Sequence, residues 1–196
     1  MTKKRILIID GHPDPKGAHF VHELAEFYRT GAREGGHQVR MLRVGELRFP
    51  LLRTARAYLS GKVPPAIATA QKSIRWADHV VLLYPLWFGT MPAKVKGFIE
   101  QVLRPGFAFE ERGTGQHPRR LLEGRSARIV VSRGMPQLFD EVDRSPRSIR
   151  NVVADVLEIC GVKPVGVTVL EGVETLSEVE HDQARYEMRV LGAAAK

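Results

Sequence analysis

The sequence predicts a doubly wound α/β fold, a five-stranded parallel sheet with helices on both faces. Three observations carry it. Five short apolar runs alternate with stretches of helical period, and glycine or proline stops separate the two kinds of segment. At 196 residues the chain suits one domain. No linker, internal repeat or low-complexity segment divides it, so a single domain over 1–196 is expected.

The first strand is residues 5–9 (RILII), ending at Asp10-Gly11. From Phe20 a helical period places Phe20, Leu24, Phe27, Tyr28 and Ala32 on one face, and Gly35-Gly36 stops it. Gln38 to Val44 alternates and predicts the second strand. Residues 45–65, with Pro50 and Pro64-Pro65, read as a long irregular connection. Ala66 to Ala77 is helical and leads to the third strand, Val80 to Leu83. The next helix has Pro92 at its first turn and a stripe of Val95, Ile99, Val102 and Leu103, ended by Pro105-Gly106. Residues 106–124 read as a second irregular excursion.

Ala127 to Val131 is the fourth strand. Ser145-Pro146 opens a helix facing the core with Ile149, Val152, Val153, Val156 and Cys160. Val165 to Leu170 is the fifth strand. Ser177 with Glu180 makes a capping box for the last helix. One helix after each strand and right-handed crossovers leave only a few doubly wound strand orders.

Composition excludes several classes. The chain is 43% hydrophobic and 27% charged, as in an ordinary globular protein. No apolar run approaches the roughly 18 residues of a membrane span. The start MTKKRILIID runs into a strand rather than a secretory h-region, so a cytoplasmic protein is expected. Cys160 is the single cysteine, which rules out an internal disulfide, and its place before Gly161 predicts a core-facing filler. The net charge of +8 suits anionic partners, but the basic residues are scattered. Even Arg119-Arg120 with Arg125 and Arg128 lacks interleaved aromatics, so no nucleic-acid partner is expected.

In such a fold the ligand binds outside the carboxyl ends of the strands. Three loops should gather there. After strand one comes Gly11-His12-Pro13-Asp14-Pro15-Lys16-Gly17-Ala18-His19-Phe20, ending at a helix N-terminus that favours an anion. N–H groups of Gly17 to Phe20 can hold a phosphate beside His12 or His19; equally, the loop can be a simple turn in which His19 caps the helix. After strand three comes Tyr84-Pro85-Leu86-Trp87-Phe88-Gly89, an unusual amount of flat apolar surface for a turn. It is either a ligand wall or a plug for the core or an oligomer interface. After strand four comes Ser132-Arg133-Gly134-Met135-Pro136-Gln137, in which Gly134 allows close backbone approach.

An anion hole, an aromatic wall and a glycine-bearing loop together match a planar ring carrying a phosphate, such as flavin mononucleotide. That match requires strand one to lie between strands two and three. The dinucleotide fingerprint, the NTPase loop, HExxH, paired Cys/His spacings and GxSxG are absent from the sequence. The seven histidines are dispersed along the chain and no metal site is expected, with His12 and His19 the pair to watch.

At these residues the chain resembles the flavodoxin-like NAD(P)H:quinone oxidoreductase family, of the DT-diaphorase and modulator-of-drug-activity type. The likeness runs from residue 5 to about 170. Its most specific part is Pro85-Leu86-Trp87-Phe88-Gly89 through Pro92-Ala93, Lys96-Gly97, Glu100 and Pro105-Gly106-Phe107-Ala108-Phe109, with the opening GHPDP and Phe20 similar to the family's first flavin loop. The resemblance implies a flavodoxin-like fold, bound FMN or FAD, and a homodimer with its active site at the subunit interface. It further implies two-electron, ping-pong hydride transfer from NAD(P)H to quinones or similar electrophiles.

By position, the resemblance sets His12, Gly17, Ala18, His19 and Phe20 toward the flavin phosphate and Pro85, Leu86, Trp87 and Phe88 along the ribityl chain and ring. Ser132, Arg133, Gly134 and Met135 would approach the ring edge. Phe109 would line the substrate pocket, from the same or the other subunit. Three positions depart from the family. Gly17-Ala18-His19 stands where a Ser or Thr is common, Ser132-Arg133 precedes Gly134 where a Thr is common, and no Tyr or His near Asp140 matches the residues that assist hydride transfer. No catalytic acid or base is assigned. The alternative is a flavodoxin-like ancillary subunit of a potassium-efflux-type membrane system; an acidic one-electron carrier does not suit the +8 charge.

Overall fold

In the computed structural model, residues 2–113, 115–134 and 155–196 are described. In chain order the strands are β1 (Arg5–Asp10), β2 (Gln38–Arg43), β3 (His79–Pro85), β4 (Phe109–Glu110), β5 (Arg119–Arg120), β6 (Ser126–Ser132) and β7 (Val165–Leu170). The helices are α1 (Phe20–Glu34), α2 (Ala55–Ser60), α3 (Pro65–Trp76), α4 (Ala93–Val102), α5 (described over residues 155–159) and α6 (Glu178–Ala194). The large sheet runs β2-β1-β3-β6-β7. Every pair in it is parallel. Strand one therefore lies between two and three, as a shared site requires.

The apolar strands are continuous because both faces are covered. Along β1, Ile6 and Ile8 point into a layer with Val21, Leu24 and Tyr28 of α1 and Met188 of α6. Leu7 and Ile9 point the other way, toward Ile67 and Ile74 of α3 and Val95 and Phe98 of α4.

On the first face α1 and α6 touch backbone to backbone. A Cβ on Gly31 would sit 1.8 Å from the Arg189 carbonyl oxygen, and one on Gly192 would sit 2.2 Å from that of Tyr28. No side chain fits either position. Arg185 to Glu23 (3.0 Å) and Arg189 to Glu34 (2.6 Å) close the flanks. This contact turns α1 away from its expected face: Val21, Leu24, Ala25, Tyr28 and Ala32 are buried, while Phe27 is exposed. On α4, Phe98 takes a buried place and Ile99 is half-buried.

Two stretches expected to be irregular carry structure. Within 45–65 lies α2, capped by Thr54, whose Oγ1 accepts from the Ala57 N–H at 3.1 Å. Arg104 donates to the carbonyls of Ala57, Tyr58 and Gly61 at the other end. Arg104 is thus a buried cap rather than one of the scattered solvated charges. Both α2 and α3 follow β2, so the pattern of one helix per strand is broken there. Within 106–124, β4 and β5 pair as a short antiparallel ribbon. The capping box at Ser177 and Glu180 is present. Cys160 is buried, its thiol pushed up to about 11 by burial, as a filler should be. Ser145, Pro146, Ile149, Val152 and Val153 lie outside the described residues.

Candidate functional site at the carboxyl edge of the sheet

β1, β3 and β6 are adjacent, so the loops that leave their carboxyl ends share one edge. Gly11 N–H donates to the Leu83 carbonyl at 2.7 Å, and Leu86 N–H donates to the Ser132 carbonyl at 2.8 Å. These bonds tie each loop to the next. The rings of His12 and Trp87 then stand edge to face, 6.1 Å apart.

The first loop ends at α1 without a side-chain cap. His19 occupies the N-cap position, but its ring caps nothing. His22 and Glu23 N–H groups bond back to the His19 carbonyl, which leaves those of Phe20 and Val21 as the open donors of the helix. Gly17, at φ +89°, turns the chain just before it. Ala18 is exposed, and the Phe20 ring packs 4.6 Å from the ring of His181 on α6. Of Phe20, therefore, the N–H rather than the ring faces the loop.

The loop also gathers three histidines. The rings of His12 and His19 stack at 3.7 Å, and His22 stands edge-on to both at 5.2 and 5.4 Å. Asp10 is almost wholly buried. Its carboxylate contacts His22 Nδ1 at 2.5 Å and accepts the His12 N–H at 3.1 Å. His12 Nδ1 contacts the Asp14 carbonyl at 2.9 Å. Burial, above all, holds His12 below the usual histidine range, with the neighbouring histidines adding to it. The Lys16 N–H, then His19, hold the Asp14 carboxyl below the usual carboxylate range.

Sequence reasoning picked out His12 and His19 but missed His22 and Asp10. The available signal was the spacing of His19 and His22, three apart and so on one face of a first helical turn.

The second loop is a two-residue turn closed by Trp87 N–H to the Thr90 carbonyl (2.8 Å) and Thr90 N–H to that of Trp87 (3.0 Å). Its central residues both have positive φ, Phe88 at 49° and Gly89 at 72°. Such a turn accepts glycine readily and a bulky residue only with strain. Trp87 is 47% and Phe88 87% exposed, so neither plugs the core of this chain. Pro85 closes β3 opposite Ser132.

In the third loop, Arg133 ion-pairs with Glu171 at 3.5 Å, and its backbone bonds to Leu170 and Val173. A Cβ on Gly134 would meet the Glu174 carboxylate at 2.8 Å. The close approach that Gly134 permits is thus to Glu174. Met135 and Asp140 lie outside the described residues.

Phe109 does not join the group. Helix α4 starts beside the aromatic turn and runs about 15 Å back along the sheet. It thus delivers β4 toward the amino edge, where Leu122 N–H bonds the Cys160 carbonyl. Phe109 packs there, half-buried against the core.

Open N–H donors, imidazoles and an exposed indole at one edge fit a flat group bearing a phosphate, though no hydroxyl takes the place of the family's Ser or Thr. A family model described as flavodoxin-like fold matches residues 4–191. A ribosyldihydronicotinamide dehydrogenase-like protein of Penicillium crustosum is 27% identical over 159 residues, 66% of this chain and 57% of that one. An FMN-dependent NADH:quinone oxidoreductase of Jannaschia is 25% identical over 125 residues, 64% of this chain and 62% of that one. The chain thus spans less than two thirds of either relative's length. Among solved structures, an NAD(P)H:quinone oxidoreductase from Methanothermobacter marburgensis superposes with a TM-score of 0.80 at 24% identity, over 100% of both chains. With the strand order, the two-faced core and a match over nearly its whole length in agreement, the chain belongs to the family with the flavodoxin-like fold.

Proposed function

We propose that this chain is a flavin-dependent NAD(P)H dehydrogenase that reduces quinones or similar electrophiles. The observation that carries the reading is the single sheet edge where the open end of α1, the histidines and the exposed Trp87 meet. When bound, FMN (or FAD) would supply hydride chemistry, taking two electrons from NAD(P)H and giving them to the acceptor. The chain's own task is to bind and orient. The Phe20 and Val21 N–H groups and His12 with His19 would hold the phosphate, through Gly17 and Ala18. Pro85, Leu86, Trp87 and Phe88 would lie along the ribityl chain and ring, and the loop that follows β6 from Ser132 to Gly134 would border the ring edge. The names of the relatives support the activity and FMN. They lend nothing to the ancillary-subunit alternative.

A homodimer completes the reading. Phe109, half-buried against the core, would line the substrate pocket of the second copy. Among the described residues no helix is long and apolar enough to cross a membrane. We place the protein in the cytoplasm.

The test is an absorbance spectrum of the purified protein after incubation with FMN or FAD and desalting. Retained oxidised-flavin bands that bleach anaerobically on NADH or NADPH addition are expected, with quinone restoring them. Failure to retain either flavin overturns the assignment. In Trp87→Ala, flavin retention and turnover should fall while the melting temperature stays within about 2 °C of the parent.

A further inference from the structure

The histidine cluster, two of whose members would face the flavin phosphate, has a second capacity that does not require flavin. His12, His19 and His22 each offer a ring nitrogen, and the three atoms lie within 4.8 Å of one another. They come from three differently held places: a loop fixed to β1, the N-cap of α1 and its first turn. The His22 ring is already oriented from behind, with Asp10 contacting its Nδ1 at 2.5 Å. A carboxylate on one nitrogen is the arrangement that fixes tautomer and direction in metal-ligating histidines. The Asp14 carbonyl lies 2.9 Å from His12 Nδ1 and 3.1 Å from His22 Nε2.

We propose that His12, His19 and His22 form a binding site for one divalent transition-metal cation. Three imidazoles select Zn²⁺, Co²⁺, Ni²⁺ or Cu²⁺ over Mg²⁺ or Ca²⁺, which prefer all-oxygen sites. Bonds of about 2.0–2.1 Å in tetrahedral geometry bring ligating nitrogens to roughly 3.3 Å from one another. The rings of His12 and His19, stacked at 3.7 Å and only 19° from parallel, therefore turn out of their stack on binding so that both lone pairs reach the ion. His22 Nε2 leaves its 3.1 Å contact with the Asp14 carbonyl, and His19 leaves the Asp14 carboxylate at 3.3 Å. Three protein ligands leave a fourth position for water or an oxygen anion. Asp10, whose Oδ2 also lies 4.0 Å from Arg43 Nε, acts as the positioning residue for His22.

The experiment uses tag-free, metal-stripped full-length protein with no flavin added. Co²⁺ is titrated while its visible d–d absorption is followed, and Zn²⁺ by calorimetry. One equivalent per chain with the intense spectrum of tetrahedral Co²⁺ is expected. His19→Gln and His22→Gln should each weaken binding at least about 10-fold, and Asp10→Asn about 10- to 100-fold. His19 lies on the surface, so His19→Gln should fold whatever becomes of the more buried variants. Absence of stoichiometric uptake, or uptake unchanged in His19→Gln, overturns the proposal. Flavin retention is read separately by absorbance, so a protein that binds flavin but no cation sinks this inference and leaves the proposed function standing.

Discussion

The α1–α6 face of the sheet and its carboxyl edge obey opposite rules. On the face, every choice serves packing: Gly31 and Gly192 exist because a carbonyl occupies the space of a Cβ, and ion pairs sit only at the flanks. At the edge, choices work against stability. Phe88 holds a left-handed backbone in solvent, a tryptophan is half exposed, and a carboxylate is buried among histidines. Residues that lower stability are retained when something else depends on them. The contrast separates scaffold from site without reference to any ligand.

The sharpest way to break this division is Gly31→Ala. In an ordinary helix the change stabilises by up to about 1 kcal/mol. Here it should cost about 3 kcal/mol or more, because two helix backbones must part. Denaturant unfolding measures it, and a neutral result would mean that α6 is free to shift.

Acid should attack the scaffold next. Burial, chiefly, lowers His79 from the ordinary 6.5 to about 4, and Nδ1 is satisfied by Ser126 Oγ at 2.8 Å. A depressed pKa means that the unfolded chain binds the proton first. The stabilisation is therefore whole above pH 6.5 and is lost as pH falls toward 4, a drop of up to about 3 kcal/mol. In His79→Gln the stability–pH slope in that window should flatten.

The site offers the smallest and most telling change. Phe88→Gly removes the strain of a positive φ and should raise stability by up to about 1 kcal/mol while weakening flavin retention. A variant both less stable and equally active would remove Phe88 from the site.

What the sequence displayed and what it hid divide along similar lines. The strands were legible because burial on both faces makes them continuous apolar runs, and the three loops followed from strand order. The α1 stripe was misjudged at Phe27 because the helix turns to meet α6, a contact far off in sequence. Helix α2 left no pattern at all: none of its residues is buried, and its far end is held by Arg104 from well beyond it. The same holds at the site. Trp87 and Phe88 announced themselves as aromatics in a turn. The closeness of Asp10 and His22 depends on the path of the first loop, which residue types along it do not encode.

In the proposed dimer each pocket takes Trp87 from one copy and Phe109 from the other. In a mixed dimer of Trp87→Ala and Phe109→Ala chains, one pocket carries both lesions and the other carries neither. Two inactive preparations, unfolded and refolded together in equal amounts, should then regain about a quarter of the parental activity, since half the dimers are mixed and each has one intact pocket.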